Sequence, residues 1–181
     1  MKELIKKFFT VIIISILAAL IAGIYGILHD QITYIISPEY YTKFKFIQFN
    51  IDQNQLSTRV AVSLVGSLAT WWFGLFLGFI LGILTLRHKD WKTMLKFSLK
   101  SIYIALLTTL IIEILGFFYG FFLLSDRPKS YFNSSFIPEN IIDFKNYIIV
   151  GCIHNFGYIG GIIGLILGII YSYKKMGFPQ K

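Results

Sequence analysis

Four side chains in this sequence could do chemistry that their surroundings do not explain. They are His29 and Asp30, in the stretch Gly26-Ile27-Leu28-His29-Asp30-Gln31, Glu113 in the apolar run Leu110-Ile111-Ile112-Glu113-Ile114-Leu115, and His154 in Cys152-Ile153-His154-Asn155. Imidazole nitrogens and carboxylate oxygens ligate zinc, iron or copper, so the set fits a transition-metal ion or a small ligand. The same groups could instead relay protons or act as acid and base in an enzyme. Gln31, Arg59 and Asn155 stand near them as polar support. No short spacing such as His-x-x-x-His is present, because the four come from three separate segments. There is no Gly-x-Ser-x-Gly or His-Glu-x-x-His motif, and no haem attachment motif accompanies His29 and His154. Cys152 lies two residues before His154, nearly opposite it on a helix, and makes a poor dyad. As the one cysteine, it also excludes an internal disulfide and a cysteine metal cage.

The elements that must position these groups are apolar helices. The chain of 181 residues is 56% hydrophobic and 14% charged, whereas soluble domains are about one quarter charged. A single soluble core of this size could not hide so much apolar surface. Four runs reach the ~20 residues needed to cross a bilayer: 8–28, 60–86, 102–124 and 147–173. Backbone groups in lipid must be satisfied internally, so each run is a helix. The expected fold class is all-α, a polytopic four-transmembrane-helix bundle. Residues 1–181 make one membrane domain with outer loops at 29–59 and 125–146. The first run follows Lys2, Lys6 and Lys7 as a signal peptide would, but it is too long for one and lacks an Ala-x-Ala site. It is expected to be a retained anchor.

Charge orients the bundle. With the amino terminus inside, the inner segments hold Lys2, Lys6, Lys7, Arg87, Lys89, Lys92, Lys96, Lys100, Lys174, Lys175 and Lys181 against Glu3 and Asp90. The outer segments balance Lys43, Lys45, Arg59, Arg127, Lys129 and Lys145 against Asp30, Glu39, Asp52, Asp126, Glu139 and Asp143. The positive-inside rule therefore makes both termini cytoplasmic. The net charge of +8 is then a match for anionic lipids at the cytoplasmic face, not for nucleic acid. Only Glu113 among the acids is left within a span.

Ser37-Pro38-Glu39 is a helix-start signature. It predicts a short interfacial helix over roughly 38–46, whose Tyr40, Tyr41, Phe44 and Phe46 lie on the outer surface or cap the bundle. Pro138 is expected to open the fourth helix, and Asn133-Ser134-Ser135 matches a glycosylation sequon. Small residues recur four apart. Gly66, Thr70, Gly74, Gly78 and Gly82 do so in the second span, and Gly116 with Gly120 in the third. In the fourth, Gly157 pairs with Gly161, and Gly160, Gly164 and Gly168 form a second row. Such rows let helices approach closely, within the chain, against a second copy or against a membrane-protein partner.

An ionisable residue inside a span costs about 2.5–3.5 kcal/mol or more. Glu113 lies ~16 Å from the outer end of its helix and His154 ~10 Å from the outer end of its own, at 1.5 Å per residue. Glycines share both faces, so both groups should point into the bundle. His29-Asp30 and Arg59 are expected at the outer mouths of the first two helices. Each helix thus sends a polar group to one side of the bundle, while the inner half has no comparable set. A purely structural reading is also open: His29-Asp30-Gln31 ends a helix at water, Arg59 snorkels, His154 bonds a neighbouring helix, and Glu113 pairs with Arg59 or stays protonated.

The words "HDQITY" and "SPEYYTKFKF", with Tyr158-Ile159-Gly160-Gly161, resemble an uncharacterised group of small bacterial four-helix integral membrane proteins. The shared pattern is His29-Asp30-Gln31, Thr33, then Glu39-Tyr40-Tyr41-Thr42, over about a quarter of the chain. The resemblance implies a bacterial plasma (inner) membrane and carries over no activity. The expected function is an outward-facing polar site that binds a metal ion or small ligand. The alternatives are an accessory subunit of a membrane complex, a small transporter or channel, and an outer-leaflet enzyme.

Overall fold

In the computed structural model, which describes residues 2–132 and 137–175, the chain is helical with no strand among the described residues. The sequon at Asn133 lies outside the described residues. Among the described residues, four helices are long and apolar enough to cross a membrane: α1 (Lys2–Ile36), α2 (Thr58–Thr85), α3 (Trp91–Tyr119) and α4 (Phe144–Lys175). A π-helical turn, Gly120–Leu124, continues α3. Leu20, Ile24, Leu28, Ile32 and Ile35 make an exposed stripe along α1 at four- and three-residue spacing. Apolar surface on this scale is what lipid tolerates and water does not.

Local signals set the helix ends. Asp90 caps α3 by accepting from the Thr93 backbone N–H at 2.8 Å. Glu3 accepts from the Trp91 N–H at 2.9 Å, and Lys7 donates to the Leu86 and His88 carbonyls. These bonds tie the start of α1 to the α2–α3 connection at the lysine-rich end. At the other end, Ser37 caps a short helical segment by accepting from the Tyr40 N–H, and Pro38 opens it. This cap segment, 38–48, is α-helical at Pro38–Tyr40, π-helical at Tyr41–Lys45 and α-helical again at Phe46–Gln48.

The first helix departs from expectation. It does not stop at His29-Asp30-Gln31 but runs on to Ile36, so His29 lies seven residues, ~10 Å, inside its end. The polar triplet did not terminate the helix because its side chains find partners on other helices, and Ile32, Ile35 and Ile36 continue the apolar pattern. α3 also begins about eleven residues before the expected span, since its lysine-bearing first turns are helical once Asp90 caps them.

The helices pack as two close pairs, α1 with α2 and α3 with α4, and the pairs touch each other far less. Small residues stand where the partners meet. A Cβ at Gly66 would overlap the Gly26 carbonyl, and one at Gly78 would lie 2.8 Å from the Ile14 carbonyl oxygen. On the other pair, a Cβ at Gly164 would lie 2.8 Å from the Ala105 Cα, and one at Gly168 would lie 3.0 Å from the Ser101 carbonyl oxygen. Two clusters close the ends of the space between the pairs. Val11, Ile14, Leu81 and Met94 fill the lysine end. Tyr40, Tyr41 and Phe46 of the cap segment join Val62, Val65, Tyr147 and Val150 at the other. A cavity of about 330 Å³ lies between these clusters.

Candidate functional site

His29, Asp30, Glu113 and His154 meet at the cap end of that cavity, and all four line it. His29 and Asp30 come from α1, Glu113 from α3 and His154 from α4. The two-turn extension of α1 brings the pair to the depth of Glu113 and His154. His29 Nδ1 donates to Asp30 Oδ1 at 2.8 Å. His154 Nδ1 donates to the Val150 carbonyl oxygen one turn back, at 3.0 Å. That carbonyl can only accept, so Nδ1 carries the hydrogen and a neutral His154 has its lone pair on Nε2. By the same reasoning, ionised Asp30 leaves the His29 lone pair on Nε2.

Both Nε2 atoms then face carboxylate oxygens. His154 Nε2 lies 3.4 Å from Asp30 Oδ1, and His29 Nε2 lies 3.6 Å from Glu113 Oε1. His29 Nε2, Asp30 Oδ2 and His154 Nε2 are buried without a hydrogen-bond partner among the described residues. Acceptors facing acceptors in a low-dielectric interior require positive charge between them, as protons or as a cation. One ligand atom each from His29, Asp30 and His154 lies within 4.8 Å of the others. A tetrahedral ion with bonds of about 2.0–2.1 Å holds neighbouring ligand atoms about 3.3 Å apart, close to the two cross-helix separations.

Neighbours hold this group in place. The Tyr25 hydroxyl donates to Glu113 Oε2. Gly157 leaves room for the same carboxyl, since a Cβ there would lie 2.5 Å from Oε1. The His29 and His154 rings meet edge to face with centroids 4.9 Å apart, and the Tyr40 ring lies 4.8 Å from that of His154. Thr33 and Tyr41 share a hydrogen bond of 2.5 Å. Burial, and then the Asp30 carboxylate, keep the Tyr41 hydroxyl protonated far above its usual range. Lys45 is buried to 3% exposure beneath the rings of Tyr40, Phe44 and Phe49. Its ammonium donates to Gln48 Oε1 at 3.0 Å. Burial pushes its pKa down, and the Asp30 carboxylate opposes that shift.

The supporting residues read from the sequence lie elsewhere. Gln31 and Arg59 form a separate α1–α2 clasp: Arg59 Nη1 donates to Gln31 Oε1 at 2.9 Å, and Gln31 donates to the Arg59 carbonyl and to Ser63. The Arg59 guanidinium lies over the Tyr34 ring, 4.8 Å from its centroid. Glu113 therefore pairs with Tyr25 and His29, and Arg59 is not its partner. Asn155 faces outward, one residue and about 100° around α4 from His154. The expected glycine set also divides by role. Gly74, Gly78, Gly82, Gly116, Gly120, Gly164 and Gly168 stand against a neighbouring helix of the same pair, whereas Gly157 meets Glu113 and Gly161 meets the Phe73 ring across the cavity.

Sequence reasoning missed Tyr25, Thr33 and Lys45 as parts of this arrangement. Tyr25 and Thr33 flank His29 at i−4 and i+4, a signal that could have found them. Lys45 carried no local signal. No known family model matches the chain, and comparison with curated proteins and with solved structures gave no match either.

Proposed function

We propose that the chain is a metal-binding protein of a bacterial plasma membrane, with both termini cytoplasmic and the cap segment at the outer interface. His29, Asp30 and His154 hold a divalent transition-metal ion, zinc or iron by the mixed nitrogen and oxygen donors, and Glu113 completes the set. The glycine rows are the association faces of the bundle in lipid. One observation carries the metal reading: two imidazole Nε2 atoms face two carboxylate oxygens at 3.4 and 3.6 Å, longer than the usual N–H···O hydrogen bond and close to the edges of a coordination shell. The Val150 carbonyl supports it, because a metal-binding histidine commonly donates its other N–H to such an acceptor.

The test is elemental analysis of protein purified in mild detergent from cells grown with zinc and iron. Wild type should carry about one ion per chain under the tetrahedral reading. His154→Ala and Asp30→Asn should fall to background while keeping the helical circular dichroism of wild type. Background metal in wild type, or full metal in His154→Ala, would overturn the proposal.

A further inference from the structure

Below the polar cluster the cavity is apolar and runs the depth of one leaflet. It reaches from Asp30 to Ala18 along α1 and from Glu113 to Ile102 along α3, or ~16–18 Å at 1.5 Å per residue. Half of the ~30 Å hydrocarbon core is ~15 Å. The threonines in this lower part have no free hydroxyl hydrogen to offer. Thr70 donates to the Ala22 and Gly66 carbonyls, and Thr109 to that of Ala105. A water molecule or polar solute needs two to four polar partners and would be poorly held there.

The way in is from the side. Tyr41 and Phe46 of the cap segment are 0% and 1% exposed and close the aqueous end. Trp72 on α2, with Tyr158 and Ile162 on α4, line the cavity yet are more than half exposed on the outer face of the helices. The gap between α2 and α4 thus joins the cavity to the lipid-facing surface. Electrostatics adds a sign, and here the inference rests on the metal reading above. A divalent ion with Asp30, Glu113 and two neutral imidazoles is a neutral centre. Lys45 is buried nearby with an amide as its hydrogen-bond partner and no carboxylate within salt-bridge range among the described residues. Lys45 does not line the cavity, so its uncompensated charge acts on the cluster at a distance, and in a low-dielectric interior it favours negative charge at the cap end.

We infer that the site takes a long-chain anionic amphiphile from the membrane, with its oxyanion head at the His29–Asp30–Glu113–His154 cluster and one hydrocarbon chain in the cavity between the helix pairs. A volume of about 330 Å³, near the low end for ligand pockets, suits one chain better than two. A carboxylate head from a free fatty acid and a phosphate head from a phospholipid share this chemistry.

The experiment photo-crosslinks metal-loaded wild-type protein in detergent with diazirine-bearing palmitate, and separately with phosphatidylglycerol carrying a diazirine in one chain. Peptide mass spectrometry then maps the adducts. Adducts are expected on Phe73, Leu77 or Leu106 inside the cavity. Unlabelled competitor of the correct head group should remove them, and this tells a free acid from a phospholipid. Ala69→Phe and Leu106→Trp, which fill the cavity away from the ligands, should cut cavity labelling about tenfold or more, a difference of ~1.4 kcal/mol, with metal content unchanged. Labelling confined to outward residues such as Phe76 and Phe79 in metal-replete wild type would sink the inference and leave the metal reading standing. Background metal in wild type would instead remove the reading on which it rests. The wild-type map decides the matter even if both filled variants fail to fold.

Discussion

Gly157 of α4 stands directly against the carboxyl group of Glu113 on α3, so that a Cβ at position 157 would lie 2.5 Å from Oε1. That contact separates Gly157 from the glycines that lie against a neighbouring backbone. Gly157→Ala should push the Glu113 carboxyl away from His29 while leaving the helix pairs together. Expected is a 10- to 100-fold loss of metal affinity, the range for disturbed support of a ligand, with little change in melting temperature. Titration with zinc and a thermal melt on the same sample check this, and an unchanged affinity would refute it.

The cluster should behave as one unit. His29→Ala, Glu113→Gln and His154→Ala should each lose most metal, and the double variants should lose little more, because groups sharing one ion are not independent. Gln31→Ala and Arg59→Ala act as controls from the same end of α1 and α2. Their clasp is half-exposed and should be worth at most about 1 kcal/mol of stability, with metal content at the wild-type level. Additive losses, or a loss in the controls, would separate the residues differently.

Close approach makes a second set of glycines structural. Gly78→Leu and Gly164→Leu force a side chain into the backbone of the facing helix, and overpacking costs about 1–3 kcal/mol, occasionally more. Both should reduce folded yield and melting temperature far more than Leu75→Ala, whose side chain is partly exposed. Equal behaviour of all three proteins would contradict this packing.

Glu39 ties the two connections at the cap end. Its carboxylate accepts from Lys43 and from the backbone N–H groups of Ile142 and Asp143. The Lys43 bond leads in lowering its pKa from 4.5 to about 2, against some desolvation and with help from the two N–H groups. A folded-state pKa below the unfolded value means stability that is present above pH 4.5 and lost as pH falls toward 2. Wild type should therefore lose more melting temperature than Glu39→Gln between pH 5 and about 2. Parallel curves for the two proteins would dismiss the contribution.

Topology is tested with single cysteines in a Cys152→Ser background. Reagents added outside intact cells should label position 39 or 143 and spare position 2 or 174. The reverse pattern would invert the bundle and put the site at the inner face.

The number of helices, their approximate spans and the orientation expected for them follow from composition and charge alone, because lipid permits a long apolar run few choices of structure. Glu113 and His154 were also legible as inward-facing, since a costly group within a span must find a partner. Ser37-Pro38 announced the cap segment through a local signal, a capping hydroxyl that accepts from the Tyr40 N–H three residues on and a proline at the first helical position. The path of α1 past His29 was not legible, because whether a polar triplet ends a helix depends on partners that distant helices supply. Nor did spacing alone distinguish Gly157, beside a carboxylate, from Gly164, beside a backbone: both are small residues on one helix, and their neighbours come from other helices. The burial of Lys45 and the separation of Arg59 from Glu113 were settled in the same way. Periodicity records which face a residue shares within its own helix; how two helix pairs rotate and slide against each other, and so which groups converge, is set by packing across the whole bundle.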